Sequence, residues 1–311
     1  MRVRVPEGAS FSEATDSLAA HGVIRAPFLF RAYAKITRAD RVAKPGTYGF
    51  RRGAGWRSIL EDLRLGRILT ARLVIPEGWD LRKIAPRLAT LTGLPEDSIL
   101  GILADSATAV RFGVPGPTLE GYLYPATYVL PVESPLEPVL RTLVRRYQAV
   151  WTPERRARAD SIGLSEREVV TLASIVEKEA KVRDEMPTIA AVYHNRLRIG
   201  YPLQADPTVQ YALGMHQRRL LYAHIESVAD HPYNTYRRRG LPPGPIASPS
   251  VYAIDATLNP ADVDFLYFVA RPDGTHIFTR SLADHNRARA MVRRMQSAAA
   301  AQGVGAASPN P

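Results

Sequence analysis

A six-residue pattern near the start of the chain returns seventy residues later. Val5-Pro6-Glu7-Gly8-Ala9-Ser10 is echoed by Ile75-Pro76-Glu77-Gly78-Trp79-Asp80, and Leu18-Ala19 is matched by Leu88-Ala89. Each copy predicts a short strand, a Pro-Glu-Gly turn, an N-cap residue and an amphipathic helix. Two copies indicate a duplicated module rather than a solenoid, which needs at least three repeats. Pro86 lies within the second helix, so we expect that helix to be kinked or shortened.

The rest of the chain is read as helices joined by turns and short strands. Helices are expected at 27–35, 55–65, 136–150, 165–180, 187–198 and 281–297, with a short helix after 203–211. A Pro45-Gly46 turn leads into residues 47–50, and residues 265–270 and 275–279 are expected to form a hairpin about a two-residue Asp273-Gly274 turn. Residues 105–117 are mostly small and include Gly and Pro, which predicts a linker. The fold class is therefore α+β, with a duplicated strand–helix front half and a mainly helical second half that ends in a β-hairpin. We place domain boundaries at 1–70, 71–117 and 118–298, with a disordered tail at 299–311.

The helix predicted at 165–180 carries the clearest chemical signal. Ser165 and Glu168 have the spacing of a capping box, and an apolar stripe runs from Val169 to Ala180. Glu177 and Glu179 lie at the flanks of this stripe, where a half-buried carboxyl group has a raised pKa and can act as a general acid. Both glutamates are also spaced for surface ion pairs with basic residues four positions later, which is the simpler interpretation of the local pattern. The helix alone does not choose between the two carboxylates.

Composition limits the classes of function. The chain has 311 residues, no cysteine and a formal charge of +11, so thiol nucleophiles, disulfides and zinc–thiolate sites are excluded. The excess of positive charge suits an anionic partner such as nucleic acid, anionic lipid or an acidic cell-wall polymer. No nucleic-acid-binding motif accompanies the charge, and the seven histidines lack metal-ligand spacing. We therefore expect no nucleic-acid partner, no metal site and no cofactor.

Two stretches of polar and aromatic residues suit a binding site. Residues 118–128 place three tyrosines around Glu120, and tyrosine rings stack well on sugars, although they also suit the edge of an ordinary core. Residues 233–236, Tyr-Asn-Thr-Tyr, precede a rigid loop rich in proline at 240–246. Rigid loops that display Asn and Tyr side chains are common locations for binding sites.

These motifs, taken in order, resemble one protein family. The stretches that carry the resemblance are Leu119–Pro125, Ala173–Glu179, Asn195–Leu197, Leu203–Thr208, Tyr233–Tyr236, Gly240–Gly244 and His285-Asn286. Together they resemble the bacterial endolytic murein transglycosylases, the membrane-bound lytic transglycosylase G or YceG-like type, over about residues 3–294. The resemblance implies a LysM-like subdomain at 71–117 and a catalytic domain at 118–298.

The resemblance also implies an activity and a set of site residues. The family cuts peptidoglycan glycan strands internally, between N-acetylmuramic acid and N-acetylglucosamine, without water, and leaves a 1,6-anhydromuramoyl end. The catalytic glutamate of the family corresponds to Glu179. Substrate-binding roles are expected for the motif residues Glu120, Tyr122, Tyr124, Asn195, Gln204, Asp206, Asn234 and Tyr236. Ala126 stands where the family usually has an acidic residue, so no role is carried over to that position.

Two alternatives use the same residues. A hydrolytic muramidase would need a second carboxylate, for which Asp206 is the best candidate. A non-catalytic peptidoglycan-binding scaffold would need only the tyrosines, the loops and the positive charge. Under every one of these hypotheses the partner is the peptidoglycan strand, and the resemblance adds wall-synthesis enzymes as candidate partners.

The resemblance further implies a location at the outer face of the bacterial cytoplasmic membrane. Family members are usually anchored by one N-terminal transmembrane helix, and no apolar run in this sequence approaches that length. We therefore expect any membrane association to come from an anchor that this sequence does not include.

Overall fold

A computed structural model describes residues 1–40, 43–215, 217 and 220–304. The fold is α+β, as expected, and its strands form three two-stranded sheets with the orders β1-β2, β3-β4 and β5-β6. The described strands are β1 Arg2–Val5, β2 Gly46–Gly49, β3 Thr70–Ile75, β4 Ala126–Pro131, β5 Tyr267–Ala270 and β6 His276–Thr279. The described helices are α1 Phe11–Ala20, α2 Pro27–Ile36, α3 Trp56–Leu65, α4 Leu81–Thr92, α5 Glu96–Ala104, α6 Ser106–Phe112, α7 Leu136–Gln148, α8 Pro153–Ser161, α9 Glu166–Glu179, α10 Met186–Arg198, α11 Asp206–Leu213, α12 Tyr222–Ser227, α13 Val251–Leu258 and α14 Leu282–Val304.

The duplicated module is present in both copies. β1 leads through a turn at Gly8 into α1, and β3 leads through a turn at Gly78 into α4. Both glycines have a positive φ, of 77° and 71°, a conformation that other residues rarely adopt. Ser10 and Glu13 form a capping box on α1. In the second copy, the Asp80 carboxylate accepts a bond of 3.1 Å from the backbone N–H of Lys83.

The chain divides into two compact units. Unit 1 contains Met1–Val74, Ala85–Ile99 and Thr127–Thr142, and unit 2 contains Ile75–Ile84, Leu100–Ala126 and Leu143–Pro311. The core of unit 1 forms where β1 alternates exposed arginines with buried valines and pairs antiparallel with β2. Phe30 of α2 packs edge-on against Trp56 of α3 in the same cluster, with ring centroids 5.9 Å apart.

Unit 2 is organised around α9. All eight residues from Val169 to Val176 are buried, so the helix is enclosed around its whole circumference rather than along one apolar stripe. It packs against α10 and α13, and both β5 and β6 contact α14. The predicted capping box of Ser165 and Glu168 starts α9, and the extended backbone of Ala180 follows its last residue, Glu179.

Three local predictions were wrong, and a fourth was wrong in part. The predicted linker contains α6, because Asp105 caps it through bonds from the N–H and hydroxyl of Thr108. Of the two effects expected from Pro86, a kink or a shorter helix, the shortening is absent, because α4 continues to Thr92. The hairpin turn is longer than two residues: Ala270 pairs with His276, and the N–H of Arg271 donates to Thr275. The final helix passes its expected end at 297 and reaches Val304; most of the predicted disordered tail lies outside the described residues.

No helix among the described residues has the length and apolar character to cross a bilayer.

Candidate active site

Glu179 ends α9 with its carboxyl group at the wall of a cavity of about 750 Å³. The hydroxyl of Tyr193, a buried residue of α10, donates to Oε1 of Glu179 over 2.9 Å. The ring of Tyr193 is itself fixed edge-on against Phe268 of β5, with centroids 5.9 Å apart. The carboxyl group is therefore held in one orientation by a rigid donor, and within the described part of the chain Oε2 is left for another partner.

Burial is the main cause that raises the pKa of Glu179, to about 7. The negative charge of Asp206 adds to the shift, while the hydrogen bond from Tyr193 and the positive charge of Arg196 oppose it. A carboxyl group with this pKa is present in both its protonated and its ionised form near neutral pH. It can therefore give a proton in one step and take one back in the next.

The rest of the cavity wall is aromatic and polar. The residues that line it are Glu179, Tyr193, Arg196, Tyr201, Gln204, Asp206, Tyr222, Tyr236, Tyr267, Phe268, Val269, Ala270, His276, Leu282, His285 and Arg289. Aromatic faces mixed with hydrogen-bonding groups suit a sugar polymer, whose rings have apolar faces and hydroxyl-bearing edges. His285 adds a buried Nδ1 that has no hydrogen-bond partner among the described residues. Burial lowers the pKa of His285, so its ring is neutral at pH 7.

Asp206 and Tyr236 form a second polar pair in this cavity. The hydroxyl of Tyr236 donates to Oδ1 of Asp206, and burial followed by the charge of Asp206 raises the pKa of Tyr236. The tyrosine therefore stays protonated and keeps the aspartate in place. Of the residues predicted to bind substrate, Gln204, Asp206 and Tyr236 lie together with Glu179.

The two loops that carry these residues are tied to each other. The N–H of Gln204 donates to the carbonyl of Thr235, and the N–H of Ala205 donates to the hydroxyl of the same threonine. That hydroxyl also lies 2.8 Å from the hydroxyl of Thr208. Gln204 has a φ of +47°, which is unusual for a residue with a side chain. The strained backbone at Gln204 is held by its ties to the neighbouring loop.

Glu177 has a different environment from Glu179. Its Oε2 accepts bonds from the N–H and the hydroxyl of Ser250, the N-cap residue of α13, at 3.0 and 2.6 Å. It therefore joins the end of α9 to the start of α13 and is not among the residues that line the cavity. The local sequence pattern does not distinguish the two glutamates, but their positions do: Glu179 lines the cavity and Glu177 does not.

Three of the predicted binding residues come from the stretch at 118–128, and none of them lines the Glu179 cavity. Glu120 is buried and accepts a 3.1 Å bond from the N–H of Leu81. Tyr122 is fully buried, with its ring edge-on to Tyr147 at 5.1 Å. Tyr124 lies beneath the guanidinium of Arg146 at 6.0 Å. The structure thus places Tyr122 in the core, the alternative that the sequence left open.

The two predicted asparagines are also absent from the cavity wall and bond to backbone instead. The side-chain amide of Asn195 donates to the carbonyls of Val263 and Phe265. That of Asn234 donates to the carbonyls of Ile225 and Val228, and its oxygen accepts from the N–H of Tyr236. Asn234 therefore shapes the loop that presents Tyr236.

Sequence reasoning gave no role to several residues of the cavity wall. Tyr193 follows Glu179 by fourteen positions, and only the packing of α10 on α9 brings the two together. Arg196 is buried because it bonds the carbonyls of Leu203 and Leu266. His276 is tied to Glu185, with 2.7 Å between Nδ1 and the carboxylate. Arg196 and His285 stand within motifs that signalled the family, but nothing in their spacing indicated a shared cavity.

Comparison with known proteins is consistent across sequence and structure. The sequence model of the YceG-like family matches residues 3–291. A Bacillus subtilis protein named endolytic murein transglycosylase is 32% identical, over 93% of this chain and 84% of its own length. A Streptococcus pneumoniae protein of the same name is 30% identical over 92% of this chain, which spans only 57% of that relative. The crystal structure of a yceG-like protein from Listeria monocytogenes matches with a TM-score of 0.64 and 31% identity, covering 92% of this chain and 98% of that one.

These matches span almost the whole chain and confirm the resemblance inferred from its motifs. The chain belongs to the YceG-like family.

Proposed function

We propose that this protein is an endolytic murein transglycosylase that cuts peptidoglycan strands between N-acetylmuramic acid and N-acetylglucosamine. The observation that carries the proposal is the carboxyl group of Glu179, with a pKa raised to about 7, at the wall of a cavity lined by aromatic and polar side chains. The names of the relatives from Bacillus subtilis and Streptococcus pneumoniae support the same activity.

The first step needs Glu179 in its protonated form. Tyr193 donates to Oε1, so the acidic proton belongs on Oε2. In the proposed reaction this proton passes to the glycosidic oxygen as its bond to C1 of the muramoyl residue breaks. The positive charge that develops at the sugar is stabilised by nearby negative charge, and the carboxylate of Asp206 in the same cavity is suited to that role.

The second step returns the proton to Glu179. The muramoyl C6 hydroxyl attacks C1 and loses its proton to Glu179, now a carboxylate, so that a 1,6-anhydro ring forms. One proton leaves the enzyme and one comes back, and water enters no product. This sequence needs one carboxyl group that serves as acid and then as base, and a pKa near neutrality suits both roles.

In this proposal the substrate contacts come from the cavity wall. Gln204, Asp206 and Tyr236 hydrogen-bond to sugar hydroxyl or N-acetyl groups, and Tyr201 or Tyr267 stacks on a ring. Asn234 acts on binding indirectly, through its bond to the N–H of Tyr236. We assign Asn195, Glu120, Tyr122 and Tyr124 positioning roles, because none of them is among the residues that line the cavity.

The domain assignment is part of the same proposal. We assign catalysis to residues 118–298, and a LysM-like role in contact with the polymer to 71–117. Murein lies outside the cytoplasmic membrane, so we place the reaction on that side, with an anchor at the membrane and wall-synthesis enzymes as partners. The net charge of +11 suits attraction to an anionic wall polymer.

A hydrolytic muramidase is the second candidate, and one observation favours it. Asp206 lies in the same cavity and close enough for its charge to raise the pKa of Glu179. If Asp206 activated water instead of stabilising positive charge, the product would be a reducing muramic acid end.

Mass spectrometry of the products from purified peptidoglycan distinguishes these functions. The proposed enzyme leaves muramoyl ends that are lighter by one water than hydrolysed ends and that resist borohydride reduction. Long fragments should appear before disaccharides, because the cuts fall inside strands. Reducible ends as the main product would identify a hydrolase, and folded protein that binds strands without cutting them would identify a scaffold.

A further inference from the structure

A second cavity in unit 2, of about 340 Å³, is bordered by three cationic side chains, Arg82, Lys83 and Lys178. Among the described residues that line it, Asp80 is the only carboxylate, and Pro207, Tyr211, Met215 and Ile246 give it an apolar side. The cavity therefore combines a net positive charge with apolar surface, which is the combination that an organic anion requires.

The two basic residues of α4 stand where a helix does not favour them. In the first copy of the repeat, the third position of the helix is Glu13, whose negative charge is favourable at a helix N-terminus. In the second copy the equivalent residue is Lys83, preceded by Arg82, and the first turn has no acidic residue. Two cations at that end of the helix interact unfavourably with the helix dipole. A role other than helix stability is therefore indicated for them.

Lys178 is held towards the same cavity. Its Nζ donates to the carbonyl of Gly78 over 3.2 Å, and Gly78 is tied in turn to Ser248 by a backbone bond of 2.8 Å. Burial, followed by the positive charge of Lys83, lowers the pKa of Lys178. The two ammonium groups therefore repel each other, and a bound anion would relieve that repulsion.

Arg82 is fixed by several contacts. It donates to the carbonyl of Tyr211 over 3.1 Å and lies 4.9 Å from the centroid of the Tyr211 ring. A Cβ at Gly214 would come within 3.0 Å of Nη1 of Arg82, so a residue with a side chain there would crowd the guanidinium. One carboxylate, Asp80, is 3.5 Å from this arginine. A second buried carboxyl group, Glu120, has a pKa raised by burial to about 8, so at neutral pH it offsets little of the positive charge.

The basic cavity is a neighbour of the catalytic one along the chain. Lys178 precedes Glu179, and Pro207 follows Asp206, so consecutive residues of α9 and α11 line the two cavities. Successive helix residues point about 100° apart, which turns Lys178 away from the Glu179 cavity while keeping it on the same helical turn.

We propose that this basic cavity, bordered by Arg82, Lys83 and Lys178, binds a free carboxylate of the peptide that a murein strand carries on its muramic acid residues. The inference rests on the proposed function, because it assumes that the sugars of the same strand occupy the Glu179 cavity. Peptide carboxylates are single negative charges on partly apolar chains, which matches both sides of the cavity wall. The subsite would let the enzyme distinguish strands by the state of their peptides.

The test compares three soluble, uncross-linked strand preparations: one with free peptide carboxylates, one with those carboxylates converted to amides, and one stripped of peptides. The wild-type protein should have a kcat/KM about tenfold higher on the free-carboxylate strands than on the amidated strands. In the double variant Lys83→Gln/Lys178→Gln that ratio should fall to near one. The control Arg51→Gln/Arg52→Gln removes the same charge from an exposed turn of unit 1 and should keep the wild-type ratio.

Equal kcat/KM of the wild type on free and amidated strands would overturn the subsite, as would an unchanged ratio in the double variant. Direct binding to Glu179→Gln protein separates this failure from failure of the proposed function. If no strand is cut but free-carboxylate strands still bind about tenfold more tightly than amidated strands, the subsite stands and the catalytic proposal fails. If the wild-type protein cuts all three preparations at the same rate, the catalytic proposal stands and the subsite proposal fails.

Discussion

The hydroxyl of Tyr193 donates to Oε1 of Glu179 over 2.9 Å, and it is the one side-chain hydrogen bond identified for that carboxyl group in the described part of the chain. Burial and the charge of Glu179 raise the pKa of Tyr193 well above its usual value, so the phenol stays protonated and acts as a donor. The hydrogen bond from Tyr193 fixes the orientation of the Glu179 carboxyl group, while the pKa of Glu179 stays raised, at about 7.

Glu179→Gln should lower turnover of murein strands by about 10²–10⁴-fold, because the amide cannot give or accept the catalytic proton. Glu177→Gln is the matched control on the same helical turn. It weakens the bonds to Ser250, so it should lower the free energy of unfolding by about 1–2 kcal/mol and keep most of the activity. Initial rates and thermal melts of both variants check this. A larger loss of activity at Glu177 would move the catalytic role there.

Tyr193→Phe should shift the alkaline limb of the kcat/KM profile to higher pH. The hydrogen bond from Tyr193 lowers the pKa of Glu179, so its removal raises that pKa above about 7 and keeps the acid protonated over a wider range. Activity at the optimum should fall at the same time, because the carboxyl group loses its orientation. A limb that stays in place while turnover falls would mean that Tyr193 has only a structural role.

Asp206→Asn should shift the same limb in the opposite direction. The charge of Asp206 raises the pKa of Glu179, so the neutral variant has a more acidic Glu179 and loses activity at a lower pH. The kcat/KM profiles of Asp206→Asn and Tyr193→Phe should therefore show alkaline limbs shifted in opposite directions, because the two substitutions change the pKa of Glu179 in opposite directions. The product should remain the anhydro end; a change from reducible ends in the wild type to no turnover in Asp206→Asn would support the hydrolase instead.

Glu120 should make the stability of the protein depend on pH. Burial raises its pKa from 4.5 to about 8, so between these values the native state holds a proton that the unfolded chain has released. The free energy of unfolding therefore falls as the pH rises through this window, by an amount on the order of a few kcal/mol. The free energy of unfolding, measured by urea denaturation, should differ less between pH 6 and pH 9 in Glu120→Gln than in the wild type. The exposed substitution Glu96→Gln should leave the wild-type difference in place.

Tyr122→Phe should leave activity unchanged and stability equal or slightly higher, because the tyrosine hydroxyl is buried without a partner among the described residues. Tyr122→Ala should instead cost about 3–5 kcal/mol, since it removes a fully buried ring. Melting temperatures and kcat/KM of both variants decide the point. A large loss of kcat/KM in Tyr122→Phe with an intact fold would mean that the hydroxyl contacts the substrate.

Local chemistry determined most of the secondary structure. The caps at Ser10 and Ser165, the Pro-Glu-Gly turns and the glycines with positive φ are short-range signals, and the structure confirms the elements that they predicted. The wrong predictions also came from short-range signals in the sequence. Asp105 begins a helix in a stretch whose composition resembles a linker. The sequence pattern predicts no helix at Pro153–Ser161, where α8 forms, because α8 is so highly charged that its apolar pattern is weak.

The site was harder to predict than the elements. Glu179, Gln204, Asp206 and Tyr236 were assigned through the family resemblance, and the structure brings them to one cavity. Asn195 and Asn234 belong to the same motifs, yet their amides bond to backbone carbonyls. A motif shows that a residue is needed but not whether it faces substrate or supports a loop. That difference depends on tertiary packing.

The last turn of α9 uses three consecutive side chains for three separate tasks. Glu177 joins Ser250, Lys178 reaches Gly78, and Glu179 meets Tyr193. Inserting or deleting one residue anywhere upstream in α9 would rotate all three by about 100° and exchange their surroundings. The register of this helix is therefore locked at its end. Residues of the cavity wall that lie outside α9, such as Gln204 and Tyr236, can be substituted without turning this helix.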